Sequence, residues 1–148
     1  MTPPQRTPAS TRHHIGAGLL TALLSLLYVF GSFRLAPWGC DVSAWLCLMP
    51  ISVLYVSPPA ALLLPLAVMA NRRRQRPFPD GLLPLMIATG LVAQAAISGT
   101  SLWLSAPHMR HIFVYDVLIF PYGFLAGALA AGVFRLSLSA LARLWRTG

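Results

Sequence analysis

The chain is divided by one basic stretch, Asn71-Arg72-Arg73-Arg74-Gln75-Arg76, which lies between two long apolar segments. Four arginines within six residues are costly to carry through hydrocarbon, so this stretch is expected to stay on the cytoplasmic side of a membrane. The apolar segments on either side must then leave the cytoplasmic surface and return to it. The sequence therefore predicts two pairs of membrane-spanning helices, with Arg72, Arg73, Arg74 and Arg76 as topology anchors.

The composition is that of a membrane protein. Hydrophobic residues make up 57% of the 148 residues and charged residues 9%, whereas soluble domains carry roughly 25% charged residues. All 11 basic residues are arginine, glutamate is missing, and the acids are Asp41, Asp80 and Asp116. The excess of Arg, Ala, Leu and Pro is typical of a GC-rich bacterial genome. We therefore expect a bacterial inner (cytoplasmic) membrane as the location.

The positive charge is expected to serve lipid contacts rather than nucleic-acid binding. The arginines lie at the ends of apolar runs, where they contact anionic head groups of the lipid bilayer. A nucleic-acid partner would instead need a basic face suited to a phosphate backbone. The predicted partners are therefore the lipid bilayer and, through its membrane helices, another protein or further copies of the chain.

The apolar runs predict an all-α membrane protein. About 20 apolar residues are needed for one crossing, and four such runs occur. They lie at residues 15–33, 50–70, 82–104 and 112–134. The second run contains Pro50, Pro58, Pro59 and Pro65, each of which removes a backbone donor, so a kinked second helix is expected.

The flanking segments and the charges set the expected orientation. Residues 1–14 are predicted to form a disordered cytoplasmic tail and residues 135–148 a basic amphipathic cytoplasmic tail, on either side of a transmembrane domain at 15–134. In this arrangement nine arginines lie inside, and only Arg34 and Arg110 lie outside. The positive-inside rule then predicts that both termini are cytoplasmic.

Two helices carry small residues at four-residue spacing. Such residues share one helix face and let a neighbouring backbone approach closely. The predicted packing faces are Gly123, Gly127 and Ala131 in the fourth span, and Ala17, Thr21 and Ser25 in the first. The sequence does not say whether the partner helix belongs to the same chain.

Two polar residues lie within the predicted spans. Gln94 is near the middle of the third span, where its amide needs a partner on a neighbouring helix or, alternatively, contacts a substrate. Asp116 lies about one turn inside the fourth span. It is expected to pair with Arg110 or a histidine near the head groups, and the alternative is a proton or cation relay.

The external side collects residues of metal-ligand type, chiefly Cys40, Cys47, His108 and His111. No CxxC or HxxxH motif joins them, so no metal site and no cofactor are predicted. Cys40 and Cys47 would instead suit a disulfide. In a continuous helix their Cα atoms would be about 10 Å apart, beyond the roughly 7 Å limit for a bridge, so a bend would be required.

The sequence contains no motif for nucleophilic catalysis: neither GxSxG nor a P-loop nor a pair of carboxylates occurs. The expectation is a non-enzymatic accessory or structural component that packs in a homo-oligomer or a larger membrane complex. The alternative is a small transporter or an ion or metal pathway that uses Gln94 and Asp116. A membrane-embedded enzyme is the third hypothesis.

Overall fold

Four α-helices make up the described part of the protein. The structure, a computed structural model, describes residues 11–35, 44–73, 81–104 and 121–145. The helices are α1 (Thr11–Leu35), α2 (Ala44–Arg73), α3 (Leu82–Leu104) and α4 (Tyr122–Leu144). Each contains a stretch long and apolar enough to cross a membrane. The predicted all-α, multi-pass architecture is confirmed at this level.

Several predicted sites lie outside the described residues. They are Cys40, Arg74, Arg76, His108, His111 and Asp116. The side chains of Cys47, Arg72 and Arg73 lie outside them as well, although the backbone of these three residues is part of α2. The expectations for the topology anchors, for the residues of metal-ligand type and for the pairing of Asp116 therefore stay predictions.

The helix ends differ from the predicted spans in α1 and α2 and agree in α3. Helix α3 has the bounds predicted from its apolar run. Helix α1 begins at Thr11, within the segment expected to be a disordered tail, and α2 extends beyond its apolar run at both ends. A hydropathy pattern locates the part of a helix that suits hydrocarbon, whereas backbone hydrogen bonding continues through polar residues such as arginine and histidine.

The described fourth helix is shifted toward the C-terminus relative to the predicted span. Helix α4 starts at Tyr122 and continues to Leu144, ten residues beyond the expected end at Phe134. The segment after Phe134, expected to form a separate tail, continues the same helix. Neither glycine nor proline occurs between Val133 and Leu144, so nothing in that stretch interrupts the backbone hydrogen bonds.

Helix α2 runs from Ala44 to Arg73 and contains four prolines: Pro50, Pro58, Pro59 and Pro65. A proline has no backbone N–H, so the carbonyl four residues earlier loses its usual donor. For Pro65 that carbonyl belongs to Ala61. The kink predicted at these prolines stays a prediction.

Helix α4 is the centre of the bundle. It packs against each of the other three helices, and α1 and α2 also pack against each other. Helix α3, in contrast, packs extensively against just one of the other described helices, α4. The apolar core follows this arrangement, and its buried members on α4 are Ala126, Ala130, Ala131, Phe134 and Leu138.

The start of α1 lies beside the end of α4. The ring of His13 packs edge-on against Trp145, with ring centroids 5.1 Å apart and an interplanar angle of 66°. One turn further along α1, a Cβ placed on Gly16 would lie 3.3 Å from Leu141 Cδ1. The two helices are therefore antiparallel, and the first and last described turns lie at one end of the bundle.

Candidate functional site at the helix interfaces

The closest contact between α3 and α4 is made by the predicted glycine face of α4. A Cβ placed on Gly127 would lie 2.7 Å from the Thr89 carbonyl oxygen and 2.7 Å from Ala93 Cβ. A Cβ placed on Gly123 would lie 2.9 Å from Gln94 Cα. These distances are shorter than van der Waals contact, and each position faces backbone of α3. Only glycine fits at either place without moving the helices apart.

Helix α3 contributes a glycine to the same interface. A Cβ placed on Gly90 would lie 2.8 Å from the Phe124 carbonyl oxygen and 2.8 Å from a carbon of its ring. Small residues on both helices thus bring the two backbones into direct contact, which is how membrane helices gain dispersion energy. Sequence reasoning missed Gly90, because the residues four positions before and after it are Met86 and Gln94.

Ala131, the third residue of the predicted α4 face, is fully buried and belongs to the apolar core. A Cβ placed on the neighbouring Gly132 would lie 3.4 Å from the Met86 thioether, which is an ordinary van der Waals distance. Gly123 and Gly127 therefore have their partner helix, α3, within the same chain. In this arrangement their face is not available to another protein.

Gln94 joins α3 to the beginning of α4. Its side-chain oxygen Oε1 accepts a hydrogen bond from the backbone N–H of Phe124 at 3.0 Å. Its amide nitrogen Nε2 donates to Ser98 Oγ at 3.5 Å, a long contact within α3. The side-chain oxygen is therefore engaged in a helix–helix contact.

This hydrogen bond satisfies a donor that α4 itself cannot satisfy. The first four N–H groups of a helix have no partner inside it, and Phe124 is the third residue of α4. The residue before the helix is Pro121, which makes no side-chain capping bond. Its carbonyl accepts the N–H of Leu125 at 2.9 Å. Gln94 thus caps α4 from the neighbouring helix.

Replacing Gln94 with leucine should loosen the first turn of α4. The change removes the acceptor for Phe124 N–H and puts an apolar side chain of comparable size in its place. We expect a loss of about 1 kcal/mol in stability, in the range measured for hydrogen bonds between membrane helices. Hydrogen exchange of a peptide covering residues 121–126, together with thermal unfolding in detergent, measures the effect.

The matched control for this change is Ser98→Ala, which removes only the long contact inside α3. We expect its exchange and unfolding to stay close to those of the unaltered chain. Equal exchange in the two variants would show that Gln94 does not cap α4.

The predicted small-residue face of α1 is buried. Ala17 and Thr21 are fully buried and Ser25 is 9% exposed. The Thr21 hydroxyl donates to the Ala17 carbonyl at 2.7 Å, and the Ser25 hydroxyl donates to the Thr21 carbonyl at 2.8 Å. Both hydrogen bonds return to the backbone one turn earlier, a common way to place a hydroxyl inside an apolar bundle. The face thus packs with small side chains.

The tightest contact of α1 is made by a residue that the sequence did not single out. A Cβ placed on Gly18 would lie 2.5 Å from the Ala61 carbonyl oxygen and 2.9 Å from Pro65 Cγ. Pro65 has no N–H to offer this carbonyl, so the oxygen lacks its usual helical donor. Gly18 approaches that oxygen directly, in the manner of a weak Cα–H···O contact between helices. The sequence shows that Pro65 leaves the Ala61 carbonyl without its donor. It does not show that α1 is the helix that packs against this carbonyl.

The described bundle interior contains few polar side chains. Six are buried, and all lie on α1, α2 or α4: His14, Thr21, Ser25, Ser52, Ser57 and Ser137. His14 is 1% exposed and is a second residue that the sequence did not single out. Its position at the end of an apolar run suggested a tail rather than a helix interface.

Metal-ligand residues do not come together in the described ranges. Among residues 11–35, 44–73, 81–104 and 121–145, no group of three His, Cys, Asp or Glu side chains is placed to hold an ion. The arrangement on these residues is one of helix packing and capping. Comparison of the chain with protein-family models, with curated proteins and with solved structures finds no match in any of the three.

Proposed function

We propose that the chain is a small polytopic protein of the bacterial inner membrane. It serves as a non-enzymatic accessory or structural component, packing with further copies of itself or within a larger membrane complex. The observation that carries this proposal is the position of α3, which, of the three other described helices, packs extensively against α4 alone. Among the described helices, none covers the opposite face of α3 extensively, and we propose that another membrane component packs there.

The outer face of α3 combines bulky and small residues. Leu91 is 60% exposed. Ala95 and Gly99 follow on the same side and are exposed as well. A Cβ placed on Gly99 would have no atom within 4 Å. Small residues on an exposed membrane helix permit close approach of another helix, and this supports α3 as the docking helix.

The proposed orientation places both termini in the cytoplasm. It is supported by the nine arginines at the internal positions against two outside. The contact between His13 and Trp145 supports one part of it, that the start of α1 and the end of α4 lie on the same side of the membrane. Four crossings, an even number, would likewise place both termini on one side of the membrane.

A green fluorescent protein fused to the C-terminus tests orientation and association together. This reporter becomes fluorescent in the cytoplasm but not after export in an unfolded state, so we expect a fluorescent fusion. Fluorescence-detected size exclusion in mild detergent should then give a complex larger than one chain. A fusion after Gly39, in the predicted external loop, should stay dark.

Two glycine variants of the same fusion test α3 as the docking helix. Gly99→Leu should shift the complex to the size of a single chain, because the larger side chain holds a partner helix away. Gly31→Leu on α1 is the matched control, since that glycine also faces open space. A single-chain elution profile for the unaltered fusion, or equal behaviour of the two variants, would contradict the proposal.

A further inference from the structure

The described arginines have no acidic partner in the described ranges. All three acids of the chain, Asp41, Asp80 and Asp116, lie outside these ranges. The side chains of Arg12, Arg34 and Arg143 are exposed and that of Arg135 is partly exposed. Within these ranges the arginines meet no acidic side chain, and at a membrane surface lipid phosphates are anions to which an exposed arginine can bind.

One of these arginines lies where two helix ends meet. Gly16 of α1 packs against Leu141 of α4. Arg12 precedes Gly16 by one turn, and Trp145 follows Leu141 by one turn, its N–H donating to the Leu141 carbonyl at 3.1 Å. Because α1 and α4 are antiparallel, Arg12 and Trp145 lie at the same level of the bundle. The contact between His13 and Trp145 supports this register.

We propose that this joint between the start of α1 and the end of α4 is a binding site for one anionic phospholipid. Arg12 binds the phosphate, and the exposed Trp145 lies at the level of the glycerol backbone, where tryptophan is favoured in membranes. Ile15 and Leu19 are 52% and 68% exposed and follow Arg12 by one and two turns. They provide the apolar surface for an acyl chain.

The helix ends favour the α1 side of this joint for the phosphate. The start of a helix carries a partial positive charge and its end a partial negative charge. Arg12 is therefore assisted by α1, whereas Arg143, in the last turn of α4, offsets the negative end of its own helix. This site goes beyond the proposed function, because it concerns a lipid rather than a protein partner.

The lipid site is tested on the purified full-length chain in neutral detergent. Added phosphatidylglycerol should raise the thermal unfolding temperature more than the same amount of phosphatidylcholine, because a ligand that binds only the folded state stabilises it. Arg12→Gln should reduce this difference by at least half. Arg12→Lys, which keeps the charge, should retain most of it.

The matched control is Arg34→Gln, since Arg34 is an exposed arginine at the opposite end of the same helix. It should keep the full effect of phosphatidylglycerol. Millimolar inorganic phosphate should leave the unfolding temperature unchanged, because a free ion lacks the acyl chains. Equal losses in the Arg12→Gln and Arg34→Gln variants would overturn the site, and an equal stabilisation by phosphate would overturn the lipid as its ligand.

Discussion

Replacing Gly18 with alanine is expected to push α1 away from α2. The new methyl group would lie 2.5 Å from the Ala61 carbonyl oxygen and 2.9 Å from Pro65 Cγ. A helix backbone and a proline ring cannot rotate aside, so the two helices must shift. Overpacking of this kind costs about 1–3 kcal/mol, and we expect the upper end of that range. Thermal unfolding of the detergent-solubilised chain measures the loss.

Gly31 provides the matched control on the same helix, because a Cβ placed there meets no atom within 4 Å. Gly31→Ala should leave stability unchanged or raise it by up to about 1 kcal/mol, since alanine favours the helical conformation. If Gly18→Ala unfolded at the same temperature as Gly31→Ala, the close approach of α1 to Ala61 would be wrong.

The second large effect is expected from Gly127→Leu. Its Cβ alone would lie 2.7 Å from the Thr89 carbonyl oxygen, and three further carbons would have to fit between the helices. We expect a loss of about 1–3 kcal/mol, because α3 must move away from α4. As α3 moves, Gln94 should release Phe124, so hydrogen exchange at the first turn of α4 should rise together with the loss in stability.

Ala140→Leu is the control for this variant, because Ala140 is exposed on the same helix and receives the same side chain. Its unfolding temperature and exchange should match those of the unaltered chain. Equal losses in the two variants would mean that any added leucine disturbs α4. The glycine face would then reflect the composition of the helix and not its contact with α3.

The sequence predicted the helices better than their contacts. Apolar length was sufficient to find four spans, and in α3 it gave both ends, because Gly81 and Pro79 precede the run. In α4 the same criterion failed at Phe134, since the helix continues through Arg135 as an amphipathic extension. Hydropathy reports which residues suit hydrocarbon, and it is insensitive to helix that extends past them.

Contacts between helices were predictable only where the spacing of small residues within a single helix indicated the packing face. The spacing of Gly123 and Gly127 was visible because both residues lie on α4. Gly18 and Gly90 were missed, because each is made necessary by backbone on another helix: the Ala61 carbonyl for Gly18 and the Phe124 carbonyl for Gly90. The pairing of helices depends on which residues of two helices lie opposite each other. The residue pattern within one helix does not show this.

The central position of α4 also has a consequence for biogenesis. Ribosomes deliver the chain in order, so α1 and α2 can associate as soon as both have left the translocon. Among the described helices, α3 packs extensively only against α4, and it gains this contact only after the following segment has been made. During synthesis, α3 is therefore complete before α4 exists. The time needed to translate residues 105–144 sets how long α3 lacks its contact with α4.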